Sequence, residues 1–143
     1  MKELFTEIII NASSDKVWDV LTDFDSYPEW NPFVRELRGD VQVGKRIEAV
    51  LQAPNQKEMK FRPRVIKLVP RREFRWYGML GIRGLFEGEH IFEVHPAEPR
   101  KVRFVQREIF SGILARAILK NIEENTRAGF EQMNAALKER CES

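Results

Sequence analysis

Cysteine is almost absent from this chain of 143 residues, Cys141 being the only one. No internal disulfide and no cysteine-based metal cluster can form, and a reducing, cytoplasmic setting is the natural expectation. Histidine is nearly as scarce. His90 and His95 fall at odd spacing in one expected strand, so they point to opposite faces and cannot share a metal. Motifs of the type His-Glu-x-x-His, Gly-x-Ser-x-Gly and the phosphate loop are missing, so neither a metal nor another cofactor is expected. The segment Gly78–Gly84 has glycines without the dinucleotide spacing and stands before a strand, not a helix. Excess charge is lacking too: 24 Lys and Arg face 22 Asp and Glu, a net charge of +2. The pI of 8.8 reflects near-balance, and nothing calls for nucleic acid or an anionic membrane as partner. Long apolar runs are absent. Ile8-Ile9-Ile10, preceded by Lys2 and Glu3, is too short for a secretory core, and no stretch approaches the ~20 apolar residues of a membrane span. No stable membrane insertion is expected.

What remains is an ordinary folded composition, 43% hydrophobic and 32% charged, which excludes a disordered or fibrous chain. Without a repeat, linker or low-complexity tract, residues 1–143 read as one domain.

Residues 3–10 read as a strand. Asn11 to Asp15 forms a stop-and-cap cluster, and Val17, Trp18, Leu21 and Phe24 recur at helical spacing, which predicts a short helix over 14–23. Asp25 to Trp30 predicts a further single turn, ended by Asn31-Pro32. From about 33 to 110 the period is two, with strands expected at 33–39, 45–52, 58–69, 72–80, 85–95 and 101–109. A long amphipathic helix follows over 112–139, its apolar face carrying Ile118, Leu119, Ile122, Thr126, Gly129, Phe130, Met133 and Leu137. Ser111 reads as its cap and not as a nucleophile. The predicted class is α+β: a curved antiparallel sheet of about seven strands, two short helices after strand 1, and a long C-terminal helix over a cavity.

Strand alternation assigns an inner face. It holds Met59, Phe61, Pro63 and Val65, then Phe74, Trp76, Gly78 and Leu80, then Phe86, Gly88, His90, Phe92 and Val94. The last strand adds Val102, Phe104, Gln106, Glu108 and Phe110. The outer face carries Arg62, Arg64, Arg75, Glu87, Glu89, Glu93, Arg103 and Arg107 and reads as solvated cross-strand pairs. Three polar groups break the apolar inner face: His90, Gln106 and Glu108. They either converge on a ligand pocket or satisfy one another as a structural core group. A carboxylate beside His90 would favour the imidazolium, while burial would favour the neutral ring. Gly129, in mid-helix, serves either close packing or a cavity. Phe130 and Met133 read as core that also reaches the pocket. The Gly78–Gly84 segment reads as a hairpin at the cavity mouth, structural or gating.

Several segments together resemble the START-like, helix-grip superfamily, in its polyketide cyclase/dehydrase and lipid-transport (SRPBCC) branch. They are Val17-Trp18-Asp19-Val20-Leu21-Thr22-Asp23-Phe24, then Tyr27-Pro28-Glu29-Trp30-Asn31-Pro32-Phe33, then Gly84-Leu85-Phe86-Glu87-Gly88-Glu89-His90-Ile91-Phe92. Glu108-Ile109-Phe110-Ser111-Gly112-Ile113-Leu114 and Gly129-Phe130-Glu131-Gln132-Met133-Asn134-Ala135-Ala136-Leu137-Lys138 complete the set. The resemblance covers essentially the whole chain. It implies a helix-grip fold with a deep cavity between sheet and terminal helix that takes lipids, polyketides or other hydrophobic molecules.

The leading expectation is a carrier or sensor of a small hydrophobic ligand. Trp76, Phe92 and Phe104 would form the walls, and His90, Gln106 and Glu108 would orient a hydroxyl or carbonyl. Phe61, Ile122, Thr126, Gly129, Phe130 and Met133 complete the expected lining. The alternative is a polyketide cyclase or dehydratase-type enzyme with His90 and Glu108 as acid–base pair, although no residue set here matches a known catalytic centre. A third is a protein-partner or co-chaperone-like module. Homodimerisation stays open, because edge strands need cover and the sequence does not show what supplies it.

Overall fold

A computed structural model describes residues 2–79 and 84–143. Strand β1 (Lys2–Ile10) runs into helix α1 (Ser14–Thr22), a 3-10 turn (Phe24–Ser26) and helix α2 (Tyr27–Trp30). Seven strands follow: β2 (Val34–Arg38), β3 (Glu48–Leu51), β4 (Met59–Phe61), β5 (Arg64–Val69), β6 (Glu73–Met79), β7 (Glu87–Glu98) and β8 (Lys101–Ser111). Helix α3 (Ala115–Glu142) closes the chain. This is an α+β helix-grip arrangement of curved antiparallel strands, two short helices after β1 and one long C-terminal helix.

The described strands form two sheets, ordered β1-β8-β7-β6-β5 and β2-β3-β4. The expected strand 58–69 is therefore two strands. Pro63 explains the break, since it has no amide to give to a ladder. The chain around it still bridges the sheets: Ile47 N donates to Pro63 O at 2.9 Å and Val65 N to Lys45 O at 2.9 Å. The sheets thus meet at a corner where Lys45 and Ile47 pair with Pro63 and Val65. Met59, assigned to the inner face, lies in the short strand β4 and is 47% exposed.

Local chemistry sets the element ends. Ser13 caps α1, its Oγ accepting from Lys16 N at 3.1 Å, and Asp15 suits the positive end of that helix. Asn31 Oδ1 accepts from Phe33 N and Val34 N, at 3.0 and 2.9 Å, which ends α2 and turns the chain into β2. Ser111 is not the cap of α3. It stays in β8, and Leu114 holds the N-cap position with no side-chain cap bond. The turn falls instead at Gly112, whose φ is +109°. A Cβ there would lie 2.5 Å from Leu85 O, so only glycine fits. Ile113 N and Leu114 N donate to Gly84 O and Leu85 O, at 3.2 and 2.9 Å. Of the expected Gly78–Gly84 hairpin, Gly78 and Met79 end β6, and 80–83 lie outside the described residues.

The inner face follows the expected alternation. Phe74, Trp76, Gly78, Phe86, Gly88, His90, Phe92 and Val94 are buried, as are Val102, Phe104, Gln106, Glu108 and Phe110. Burying one such aliphatic or phenyl side chain is worth about 1.5–3 kcal/mol before entropy. On the outer face Arg75 bridges Glu73 and Glu89, and Arg107 bridges Glu93 and Glu3. Ile91 points outward by parity, yet is 0% exposed. It lies opposite Arg75 on one side and Arg107 on the other. The β1 edge is covered by α3: Arg127 Nη1 donates to Phe5 O at 2.9 Å and Lys138 Nζ to Ile9 O at 3.0 Å.

Candidate functional site: a small pocket over a buried polar chain

Between the first half of α3 and the β2-β3-β4 sheet lies a pocket of about 170 Å³. Phe33, Leu51, Met59, Phe61, Phe110 and Ile122 supply its apolar walls. Ala53, Gln56 and Lys57 come from the β3–β4 loop, and Asn125 and Thr126 from α3. Glu108 is the acidic group in the lining and is only 8% exposed. The volume is below the ~300–1,000 Å³ common for drug-sized ligands. It is near that of a dry cavity of ~150 Å³ that takes benzene.

Behind Glu108 runs a chain of buried polar groups. Glu108 Oε1 stands 3.5 Å from His90 Nδ1. His90 Nε2 meets Gln106 Oε1 at 2.9 Å. Gln106 Nε2 donates to Asn134 Oδ1 at 2.8 Å and to Phe130 O at 3.3 Å. Asn134 Nδ2 donates to Thr6 Oγ1 at 2.9 Å, and Thr6 donates to Gln106 O at 2.7 Å. The chain ties β1, β7, β8 and α3 together. His90 is packed among rings, with Phe92, Phe130 and Trp76 centroids at 4.5, 4.8 and 5.0 Å.

The expected site residues divide accordingly. Phe61, Glu108, Ile122 and Thr126 line the pocket, and His90 stands directly behind Glu108. Trp76, Phe92 and Phe104 are at most 1% exposed and lie in the packed core rather than on the pocket wall. Phe92 stacks with Phe74 at 5.7 Å and with Phe104 at 6.4 Å, and these rings fill the space expected to be open. Gln106 is engaged by His90, Phe130 O and Asn134 and does not reach the pocket. Phe130 and Met133 are core. Gly129 serves close packing: a Cβ would fall 2.6 Å from Phe33 Cδ1, so the missing side chain makes room for that ring.

Sequence reasoning missed Phe33, Leu51, Ala53, Gln56, Lys57, Met59, Phe110 and Asn125 as lining residues. It also missed Thr6 and Asn134. Asn134 carried a usable signal, standing four residues after Phe130 and three before Leu137 on the apolar stripe. The polar segment 53–58 carried none, because loop placement over a sheet depends on tertiary structure.

With this geometry in view, comparison with known proteins decides the family. The family described as polyketide cyclase / dehydrase and lipid transport matches residues 1–142. The chain belongs to that family. Solved structures agree on the fold. A START superfamily protein from Mycobacterium smegmatis superposes with a TM-score of 0.73 at 17% identity, over 98% of this chain and 97% of that one. Thalictrum norcoclaurine synthase, in complex with a transition-state analogue, gives 0.73 at 16% identity, over 98% and 93%. The two-domain ARO/CYC protein BexL, from the BE-7585A biosynthetic pathway, gives 0.74 at 14% identity over 96% of this chain. This chain spans about half of that protein, 47% of its length. Among curated protein sequences there is no significant match. No helix among the described residues is long and apolar enough to cross a membrane.

Proposed function

We propose that this protein is a cytosolic binding module for a small, mostly apolar molecule, or for one apolar end of a larger one. The observation that carries the reading is the pocket under the first half of α3, with six apolar walls, a polar rim and one nearly buried carboxyl group. Membership of a family whose description includes lipid transport supports it. Apolar area supplies affinity at about 25 cal/mol per Å² before association costs. With a pocket this small, a lipid or polyketide would be held by one end, the rest passing Gln56 and Lys57 into solvent.

The test is a calorimetric titration with p-xylene. Saturable one-to-one binding is expected, and Ile122→Trp, which fills the pocket from α3, removes it. No binding, or binding that survives the tryptophan, overturns the reading.

A second reading, an acid–base enzyme of the cyclase or dehydratase type, is favoured by one observation. The Glu108 carboxyl reaches the pocket with an imidazole directly behind it. In that case Glu108 touches the substrate and His90 acts only through it. Turnover of an identified substrate at full rate by Glu108→Gln would exclude it.

A further inference from the structure

The buried chain fixes the direction of every hydrogen bond in it, and this determines which chemical group the pocket takes. Two backbone carbonyls anchor the argument, because a carbonyl can only accept. Phe130 O faces the side-chain nitrogen of Gln106, and Gln106 O faces the hydroxyl of Thr6. Thr6 therefore donates to Gln106 O and accepts from Asn134 Nδ2. Asn134 then presents Oδ1 to Gln106 Nε2. Both routes leave Gln106 Oε1 towards His90, so His90 Nε2 carries a proton and donates it. The amide orientations and the imidazole tautomer follow from connectivity alone.

The other ring nitrogen is the consequence. Nδ1 stands 3.5 Å from Glu108 Oε1, with the His90 side chain 1% and the Glu108 side chain 11% exposed. Among the described residues the Glu108 carboxyl makes no hydrogen bond, and its ion-pair contact is this 3.5 Å approach to His90. The charged or polar groups that face this site from the surrounding elements are Lys57 and Gln56 on the β3–β4 loop and Asn125 and Thr126 on α3.

A carboxyl group, ionised or not, keeps an oxygen that accepts, so Glu108 offers the pocket an acceptor. We infer that the pocket selects apolar molecules bearing a hydrogen-bond donor, a hydroxyl, phenol or amine, at the end that enters first. This rests on the binding reading above and names the chemistry of its ligand.

The experiment compares p-cresol with p-xylene, which differ by a hydroxyl for a methyl, on the wild-type protein, Glu108→Leu and Glu108→Gln. In Glu108→Gln the amide nitrogen donates to His90 Nδ1 and the oxygen still faces the pocket. The preference for p-cresol over p-xylene should fall by about tenfold or more in Glu108→Leu and survive in Glu108→Gln. Retained p-xylene binding shows that each variant is folded and its pocket intact. Equal preference in wild type and Glu108→Leu overturns the inference and leaves the binding reading standing. Failure of all proteins to bind either compound overturns both. Nitrogen-15 NMR of His90 supplies an independent readout. Nε2 should be protonated, and a ring protonated only on Nδ1 contradicts the hydrogen-bond assignment whatever the titrations give.

Discussion

Replacing Gln106 by leucine tests the buried polar chain without changing much volume. Gln106 is 0% exposed and its side chain serves three partners. The substitution strands two side-chain groups outright. His90 Nε2–H loses its acceptor at 1% exposure, and Asn134 Oδ1 loses its donor at 2%. Phe130 O is affected less, because as a mid-helix carbonyl it keeps its backbone partner. At about 1–3 kcal/mol for each stranded group, the expected loss is about 2–6 kcal/mol. That is a large share of the roughly 5–15 kcal/mol typical of a domain. Urea unfolding followed by circular dichroism should show the midpoint falling at unchanged slope. Adding Asn134→Leu removes one of the stranded groups. The double variant should therefore lose less than the sum of the singles, with a coupling of about 0.5–3 kcal/mol. A loss below about 1 kcal/mol in Gln106→Leu, or strict additivity, would refute the account of this chain.

Other outcomes follow from single positions. Gly112→Ala forces a side chain at φ +109° and within 2.5 Å of Leu85 O. It should cost about 2 kcal/mol or more, read as a drop of roughly 6 °C in Tm by calorimetry, and an unchanged Tm would contradict the turn geometry. Burial pushes the Glu93 carboxyl up, but hydrogen bonds from Arg107 and His95 outweigh it and hold the group below its ordinary value of 4.5. A lowered carboxyl stabilises the fold above that value and loses its contribution as pH falls through the depressed range. Glu93→Gln should accordingly flatten the loss of stability measured by urea titration below about pH 4.5, whereas an unchanged acid limb would count against the bridge. Burial raises the Cys141 thiol to about 11 from 9.0. Alkylation by iodoacetamide at mildly alkaline pH should run on the order of a hundredfold slower than in urea, and comparable rates would place the thiol at the surface.

Element order and the inner face of β6, β7 and β8 were legible because strict alternation and a wide helical stripe are strong local signals. His90, Gln106 and Glu108 stood out as polar residues on an apolar face, and they do cluster, in a form that mixes the two readings weighed for them. Glu108 reaches the pocket, while Gln106 is structural. The location of the pocket was not legible. Phe33 occupies the room left by Gly129, a match between residues 96 positions apart that no periodicity contains. The same holds for the corner at Pro63. The proline was visible, yet its effect, handing β4 to a second sheet, depends on β3 being there to receive it. Ile91 was hidden for another reason. Its outward parity is read correctly, yet the position is dry where it sits between Arg75 and Arg107 on neighbouring strands, a tertiary juxtaposition that parity does not contain.

The central claim is that binding occurs in the small pocket beside the corner of the two sheets and not in the aromatic interior. Methyl-labelled NMR with p-cresol addresses it directly. The account predicts the largest shifts at Leu51, Met59, Ile122 and Thr126, which line the pocket, with Val94, Val102, Met133 and Leu137 nearly unmoved. Largest shifts among those four interior methyls would contradict it, and would place the ligand against Trp76, Phe92 and Phe104.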